Sequence, residues 1–257
     1  MSRGQQGIGI SAASMYGQLT TGKPTRIVSR TSARRAAHFY EIQIDTARNK
    51  PTIVREEEIE WEHSRGTEVE IGILYLGVGT LNGERVLVAE ESADDGRSWN
   101  VIGTVSHPPE TAHRGLGEPH LVETASGRLI GLFRVGGEDM SERFLYQADS
   151  DDGGRTWTPA RVTPMLGFPP HLTRLQDDRL LVVYGRRLAP FGQRTCLSND
   201  EGATWDVDNE RIVQAAPNDD LGYPAAVQLP DGSIITVYYQ VDEAGEKTCL
   251  MGTRWRL

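Results

Sequence analysis

Cysteine is scarce in this sequence. Cys196 and Cys249 are the only two among 257 residues, too few for a disulfide framework or a four-cysteine zinc site, and no His/Cys cluster has ligand spacing. No metal site is expected. Long apolar runs are also missing: none approaches the roughly 18 residues of a membrane span, and the start, Met1-Ser2-Arg3-Gly4-Gln5-Gln6, lacks the apolar stretch of a secretory signal. The expectation is a cytoplasmic chain without membrane contact. Acidic residues are absent from residues 1–40, which carry six basic ones, whereas residues 41–71 carry nine acidic and four basic. The net charge of −9 therefore belongs to the remainder, and it argues against nucleic acid as a partner of the whole chain. Such asymmetry marks a join between unlike segments.

What is present is repetition. One octapeptide occurs three times, as Ser92-Ala93-Asp94-Asp95-Gly96-Arg97-Ser98-Trp99, Ser150-Asp151-Asp152-Gly153-Gly154-Arg155-Thr156-Trp157 and Ser198-Asn199-Asp200-Glu201-Gly202-Ala203-Thr204-Trp205. Its pattern suits a hairpin turn in which Ser and Asp side chains bond turn amides, Gly takes a positive φ and Trp buries its ring. A second repeat runs in phase: Glu118–Phe133, Pro169–Tyr184 and Tyr223–Tyr238 align, each reading strand, polar turn, strand. The turns fall at Ser126-Gly127, Asp177-Asp178 and Asp231-Gly232, and a third strand follows at Arg143–Ala148, Gln193–Leu197 and Lys247–Gly252. Segments Ile73–Val78, Arg85–Glu90 and Trp99–Val105 fit part of a further unit. Four short antiparallel strands every ~50 residues is the period of a β-propeller blade.

These octapeptides are Asp-boxes, and residues 73–257 resemble the sialidase (neuraminidase) superfamily, especially bacterial BNR-repeat proteins. The resemblance implies a mainly β fold: an incomplete, about four-blade sialidase-like propeller. It also implies that the Asp-boxes are structural, lying at the periphery away from the catalytic face. Sialidases hold the substrate carboxylate with three arginines, attack with a tyrosine activated by a glutamate, and use an aspartate as acid/base. A bidentate guanidinium grips a carboxylate, and a phenol avoids bringing a second anion to an anionic substrate.

Candidates come from the loops entering the inner strands and from the strand ends around the central mouth. The catalytic set read in register is Arg114, Glu118, Arg134, Arg186, Arg194 and Tyr223, with Pro169, Tyr184, Arg187 and Tyr239 at neighbouring positions. His120 and His171 share one repeat column, which favours a common structural bond over catalysis. The first-blade arginine motif of sialidases is not present, so no arginine triad is assigned by motif. No cofactor is expected for the propeller, and its implied partner is a sialoside-like glycan.

Residues 1–71 have neither Asp-box nor blade period. Gly4, Gln5, Gln6, Gly7, Ile8, Gly9, Ile10 and Ser11 form a glycine-rich stretch, followed by a small-residue helical segment (Ala12–Thr20) and a stop at Thr21-Gly22-Lys23-Pro24. Strands are expected at Thr25–Arg30, His38–Asp45, Pro51–Glu58 and Thr67–Ile71, making a small α+β segment. By spacing alone the glycines read equally well as a turn beside a helix N-terminus. The surrounding residues, from Tyr16-Gly17-Gln18-Leu19 through Tyr40-Glu41-Ile42-Gln43 to Gly66-Thr67-Glu68-Val69, resemble the B-type subunit of archaeal DNA topoisomerase VI. In that family residues 4–11 would be the ATP lid of a GHKL ATPase, whose amides hold the triphosphate. The family's Glu/Asn motif for water and Mg²⁺, its Asp-x-Gly motif and its transducer lysine have no counterpart here.

Two segments are thus expected, 1–71 and 72–257, meeting without a Pro/Ser/Gly linker. Three functions follow: a glycan-directed propeller, in which truncation counts against turnover; an ATP-binding topoisomerase fragment; or a non-catalytic repeat scaffold whose exposed edge strand pairs with another copy.

Overall fold

The computed structural model describes residues 24–45, 50–70, 73–81, 84–92, 97–106, 115–136 and 139–257. The glycine-rich stretch 4–11, the helical segment 12–20, Asp94, Gly96 and Arg114 lie outside the described residues. The chain divides into two compact units, Met1–Leu74 with Glu91–Asn100, and Tyr75–Glu90 with Val101–Leu257.

In the first unit β1 (Thr25–Arg30), β2 (Ala37–Asp45), β3 (Lys50–Ile59) and β4 (Gly66–Glu70) form one antiparallel sheet in the order β3-β2-β1-β4. The four expected strands are all present, within one residue at each end. β1 is the centre of the register, with Ile27 opposite Tyr40 on one side and Val69 on the other. Arg30 ties the loops at its end: its Nε donates to Arg35 O at 2.8 Å and its guanidinium to Trp61 O at 3.1 Å. The edge strand β3 carries Arg55-Glu56-Glu57-Glu58, a charged run that discourages pairing with another chain. The described part of this segment is entirely β.

Four sheets follow. Strands β5 (Ile73–Leu81), β6 (Glu84–Ser92) and β7 (Asn100–Val105) make a three-stranded sheet. β8 (Leu116–Glu123), β9 (Leu129–Val135), β10 (Phe144–Ser150) and β11 (Arg161–Leu166) make a four-stranded meander, and so do β12 (Pro170–Arg174), β13 (Leu180–Arg186), β14 (Gly192–Ser198) and β15 (Arg211–Ala215). β16 (Leu221–Gln228), β17 (Ile234–Val241) and β18 (Thr248–Trp255) form the last sheet, which has three strands.

The repeat in the sequence is a repeat of local chemistry. Each first hairpin closes identically, Gly127, Asp178 and Gly232 donating to the carbonyls of Thr124, Leu175 and Leu229 at 3.1, 3.0 and 2.9 Å. All three turn residues have positive φ (89°, 66° and 79°), which glycine adopts freely and Asp tolerates. Between sheets lie three apolar layers. Leu76, Leu87 and Val105 meet Phe133, Val135 and Ala148; Ile130, Leu132 and Leu145 meet Leu172, Val182 and Tyr184; Leu181 and Val183 meet Ala226 and Ile234. Strands such as β9 (Leu-Ile-Gly-Leu-Phe-Arg-Val) and β13 (Leu-Leu-Val-Val-Tyr-Gly-Arg) are apolar on both faces because a sheet covers each face.

The Asp-boxes fasten these layers. In the second and third boxes Ser150 Oγ and Ser198 Oγ accept from the amides of Gly154 and Gly202, at 2.9 and 2.8 Å. Asp152 and Asp200 each accept from a Thr amide and its hydroxyl, Thr156 and Thr204, with 2.8 and 2.6 Å bonds in both boxes. Gly154 and Gly202 have φ of 88° and 82°. The third box docks on the preceding sheet: Trp205 Nε1 donates to Gln147 Oε1 (2.8 Å), and Gln147 Nε2 donates to Gly202 O (2.9 Å). The second box comes so close to β7 that a Cβ on Gly103 would meet Gly154 O at 2.1 Å. In the first box Ser92 is buried but Trp99 stays exposed, unlike Trp205, so ring burial is not common to all three copies.

Candidate active site

Two inner strands break their ladders at the same repeat position. The pairing of β8 with β9 shifts between Gly117 and His120, and that of β16 with β17 between Gly222 and Ala225. The residues thrown out of register are Glu118 and Tyr223, each followed by proline, with φ of 50° and 48°. A left-handed backbone at a bulky residue costs ~1–3 kcal/mol and persists only where the surroundings enforce it, most often at functional sites. Here it aims both side chains at one place.

The Tyr223 hydroxyl donates a short hydrogen bond to Glu118 Oε1. Arg134, at the end of β9, donates to both oxygens of the same carboxylate at 3.2 and 3.3 Å. Tyr223 stacks on Tyr239, ring centroids 6.0 Å apart, and Tyr239 Oη accepts from Arg187 at 2.7 Å. Arg187 is itself anchored by a 2.7 Å bond from Nε to Leu221 O. Gly222 leaves room for it, since a Cβ there would lie 3.0 Å from the guanidinium. The Glu118 hydrogen bond, then burial, pushes the Tyr223 phenol above its ordinary pKa, so the resting phenol keeps its proton and Glu118 is its acceptor.

Beneath this group lies one buried ring. The guanidinium carbons of Arg134, Arg187 and Arg143 stand 4.2, 5.0 and 5.4 Å from the centre of Phe168. Cation–π attraction to this ring offsets part of the repulsion among three like charges. That repulsion survives in Arg143, whose pKa is lowered by burial and by Arg134 and Arg187. The result is a cationic cluster beside a phenol–carboxylate pair, suited to an anionic ligand.

Of the candidates read from sequence, Glu118, Arg134 and Tyr223 are brought together, with Arg187 and Tyr239 from the neighbouring strand ends. Arg186 instead donates to Leu188 O at 3.3 Å. Arg194 is buried, donating to Pro190 O at 2.7 Å with Glu210 at 3.9 Å. Tyr184 lies in the core beside Cys196 and donates to Glu210, and burial raises its pKa. Sequence reasoning missed Phe168 and Arg143. A signal for the first existed: Phe168 occupies the column held by Gly117 and Gly222 in the other repeats.

His120 and His171 form blade-to-blade ties. Leu172 N–H donates to His120 Nδ1 (3.1 Å) and Ala226 N–H to His171 Nδ1 (3.4 Å), so each ring receives an amide from the next inner strand. The rings lie 4.1 Å apart. Burial, reinforced by His171, lowers His120 to about 3, and burial lowers His171 to about 4, so both are neutral near pH 7. Among the described residues no group of three or more His, Cys, Asp or Glu could hold a metal ion, and no helix is long and apolar enough to cross a membrane.

Comparison with known proteins bears on the fold. A solved protein of unknown function from Dyadobacter fermentans superposes with a TM-score of 0.63 at 20% identity, covering 89% of this chain and 75% of that one. A Hadza microbial sialidase gives 0.50 at 13% identity (91% and 70%). The GH93 α-L-arabinofuranosidase of Fusarium graminearum gives 0.52 at 19% identity (71% and 58%). These likenesses establish the propeller fold. By sequence the chain is also similar to the B-type subunit of type 2 DNA topoisomerase 6. The Methanococcoides burtonii protein is 50% identical over 217 residues, covering 77% of this chain and 34% of that protein. The Natronomonas pharaonis protein is 51% identical over 70 residues (27% and 9%). The chain spans about a third or less of the length of these relatives. The family profile described as BNR repeat-like domain matches residues 25–236, and with most of its length so matched the chain belongs to the BNR repeat-like family.

Proposed function

We propose that this chain is a glycan-directed, sialidase-like propeller that binds the carboxylate of an acidic terminal sugar. The observation that carries this reading is the Tyr223–Glu118–Arg134 line of hydrogen bonds with Arg187 beside it. Guanidinium groups on Arg134 and Arg187 would grip the carboxylate. The Tyr223 oxygen would attack the anomeric carbon as its proton passes to Glu118, giving a glycosyl-enzyme intermediate that water then cleaves.

Departure of the aglycone also needs an acid, which the sialidase resemblance assigns to an aspartate. No aspartate is among the residues named at this site, so glycan binding is the property that the reading predicts first. The arginines favour an acidic sugar over the neutral arabinosides of the arabinofuranosidase among the structural neighbours. A glycan array and a fluorogenic sialoside test the reading. Binding of sialylated glycans that Arg187→Ala removes supports it, and absence of both binding and release overturns it.

A further inference from the structure

Two of the arginines around Phe168 are held by acceptors of different charge. Arg187 is bound to neutral ones: its Nε donates to Leu221 O and its Nη2 to the Tyr239 hydroxyl, each at 2.7 Å. Arg134 is bound to a carboxylate, its Nη1 donating to Glu118 Oε1 at 3.3 Å and to Oε2 at 3.2 Å. Among the described residues Glu118 is the only acid bonded to either arginine. The equivalent positions of the other repeats hold Pro169, which offers no acceptor side chain, and Tyr223, whose hydroxyl is turned to Glu118 itself. The pair is reachable from outside, since the Arg134 and Glu118 side chains are 29% and 26% exposed and Tyr223 beside them is 54% exposed. Arg134 is seated on Phe168, its guanidinium carbon 4.2 Å from the ring centre, whereas the Glu118 carboxylate is held at its tip by Arg134 and Tyr223. A carboxylate arriving from solvent would therefore move Glu118 and leave Arg134 in place.

We propose, building on the glycan-directed reading of this site, that Glu118 is an internal competitor for the ligand carboxylate and sets the preference for acidic over neutral sugars. At rest its carboxylate occupies Arg134 as a ligand carboxylate would. An acidic sugar displaces it by supplying an equivalent charged acceptor, with Arg187 as the second cation. A neutral sugar offers hydroxyl acceptors, which bond a guanidinium more weakly than a carboxylate does, and it leaves the pair intact. Affinity for acids is thus held below what the two arginines would give alone, and neutral sugars are rejected because they cannot break the resting pair.

Calorimetric titration of the full chain with α-methyl sialoside and with its methyl ester tests this. Glu118→Gln keeps the size of the side chain and removes its charge; it should tighten binding of the acid by roughly threefold or more and bring no gain for the ester. Glu118→Ala should shift the acid in the same direction. A footprint without sugar gives a second readout. Phenylglyoxal, mapped by mass spectrometry, should modify Arg134 roughly threefold faster or more in Glu118→Gln than in the wild type, and acetate should protect Arg134 at a lower concentration in the variant. Acid affinity that is unchanged or weakened in Glu118→Gln overturns the proposal, and so does an equal gain for the ester. If neither wild type nor variant binds the sialoside, the glycan reading fails, and the footprint alone decides the competitor role: equal modification of Arg134 in both chains overturns it.

Discussion

Glu118 and Tyr223 are 105 residues apart in the sequence, yet the phenol of one donates to the carboxylate of the other. Each stands on a bulge of an inner strand, each has a left-handed backbone, and each precedes a proline. The repeat supplies two similar brackets, and two different side chains on those brackets set a phenol against a carboxylate.

If that pair works as proposed, Tyr223→Phe should leave sialylated-glycan binding within about threefold of wild type, because the lost group makes at most one ligand contact. Any release from a fluorogenic sialoside should vanish. Arg187→Ala should instead reduce binding by roughly tenfold or more, since a charged hydrogen-bonding group contributes ~1.5–3 kcal/mol. A glycan-array signal equally lost in both variants would argue against separate roles.

The two inner-strand histidines should make the fold acid-sensitive. Unfolded, each titrates near 6.5; folded, they titrate at about 3 and about 4. Between those limits the unfolded chain binds protons that the folded chain does not, so stability falls as pH drops from about 6.5 towards 4. The loss approaches ~1.4 kcal/mol per pH unit for each histidine. Denaturant midpoints at pH 7 and pH 5 measure it, and His120→Gln should flatten the dependence.

The tryptophans of the second and third Asp-boxes should differ. Trp205 Nε1 satisfies the buried Gln147 of the neighbouring sheet, whereas Trp157 Nε1 bonds Gly154 O within its own turn at 2.9 Å. Trp205→Phe leaves a buried amide oxygen without its donor and should cost ~1–3 kcal/mol. Trp157→Phe should cost less, and urea denaturation of both variants gives the comparison.

Close approach makes a further expectation for Gly103. A methyl there meets the Gly154 carbonyl at 2.1 Å, so Gly103→Ala should destabilise by ~1–3 kcal/mol, with a lower urea midpoint.

For residues 4–11 the topoisomerase resemblance motivates an ATP test. A malachite-green assay on the chain should show negligible hydrolysis. Turnover that Gly7→Val abolishes would reverse this expectation.

Much of the fold was legible because propeller units are local. Alternating residues marked β1 to β4, and the Asp-box spelled its own turn, with Ser and Asp side chains bonding turn amides, while the structure named the amides. Phe168 was visible only as an aromatic in a glycine column, and nothing near Arg143 in sequence marks it as a neighbour of Arg187. Arg186, adjacent to Arg187, looked equivalent by position. One residue of register along a strand reverses the side-chain direction, and strand ends release even that rule.

The sequence by itself determined the repeat and the turns, which depend on contacts a few residues apart, and it displayed the histidine column and the segregation of charge directly. Only the tertiary structure decided which arginines gather around Phe168, that Glu118 meets Tyr223, and that Val237 of β17 is exposed where Val183 and Leu132 are buried. Those depend on how separate sheets pack, and the same apolar strand sequence serves a covered face and an uncovered one.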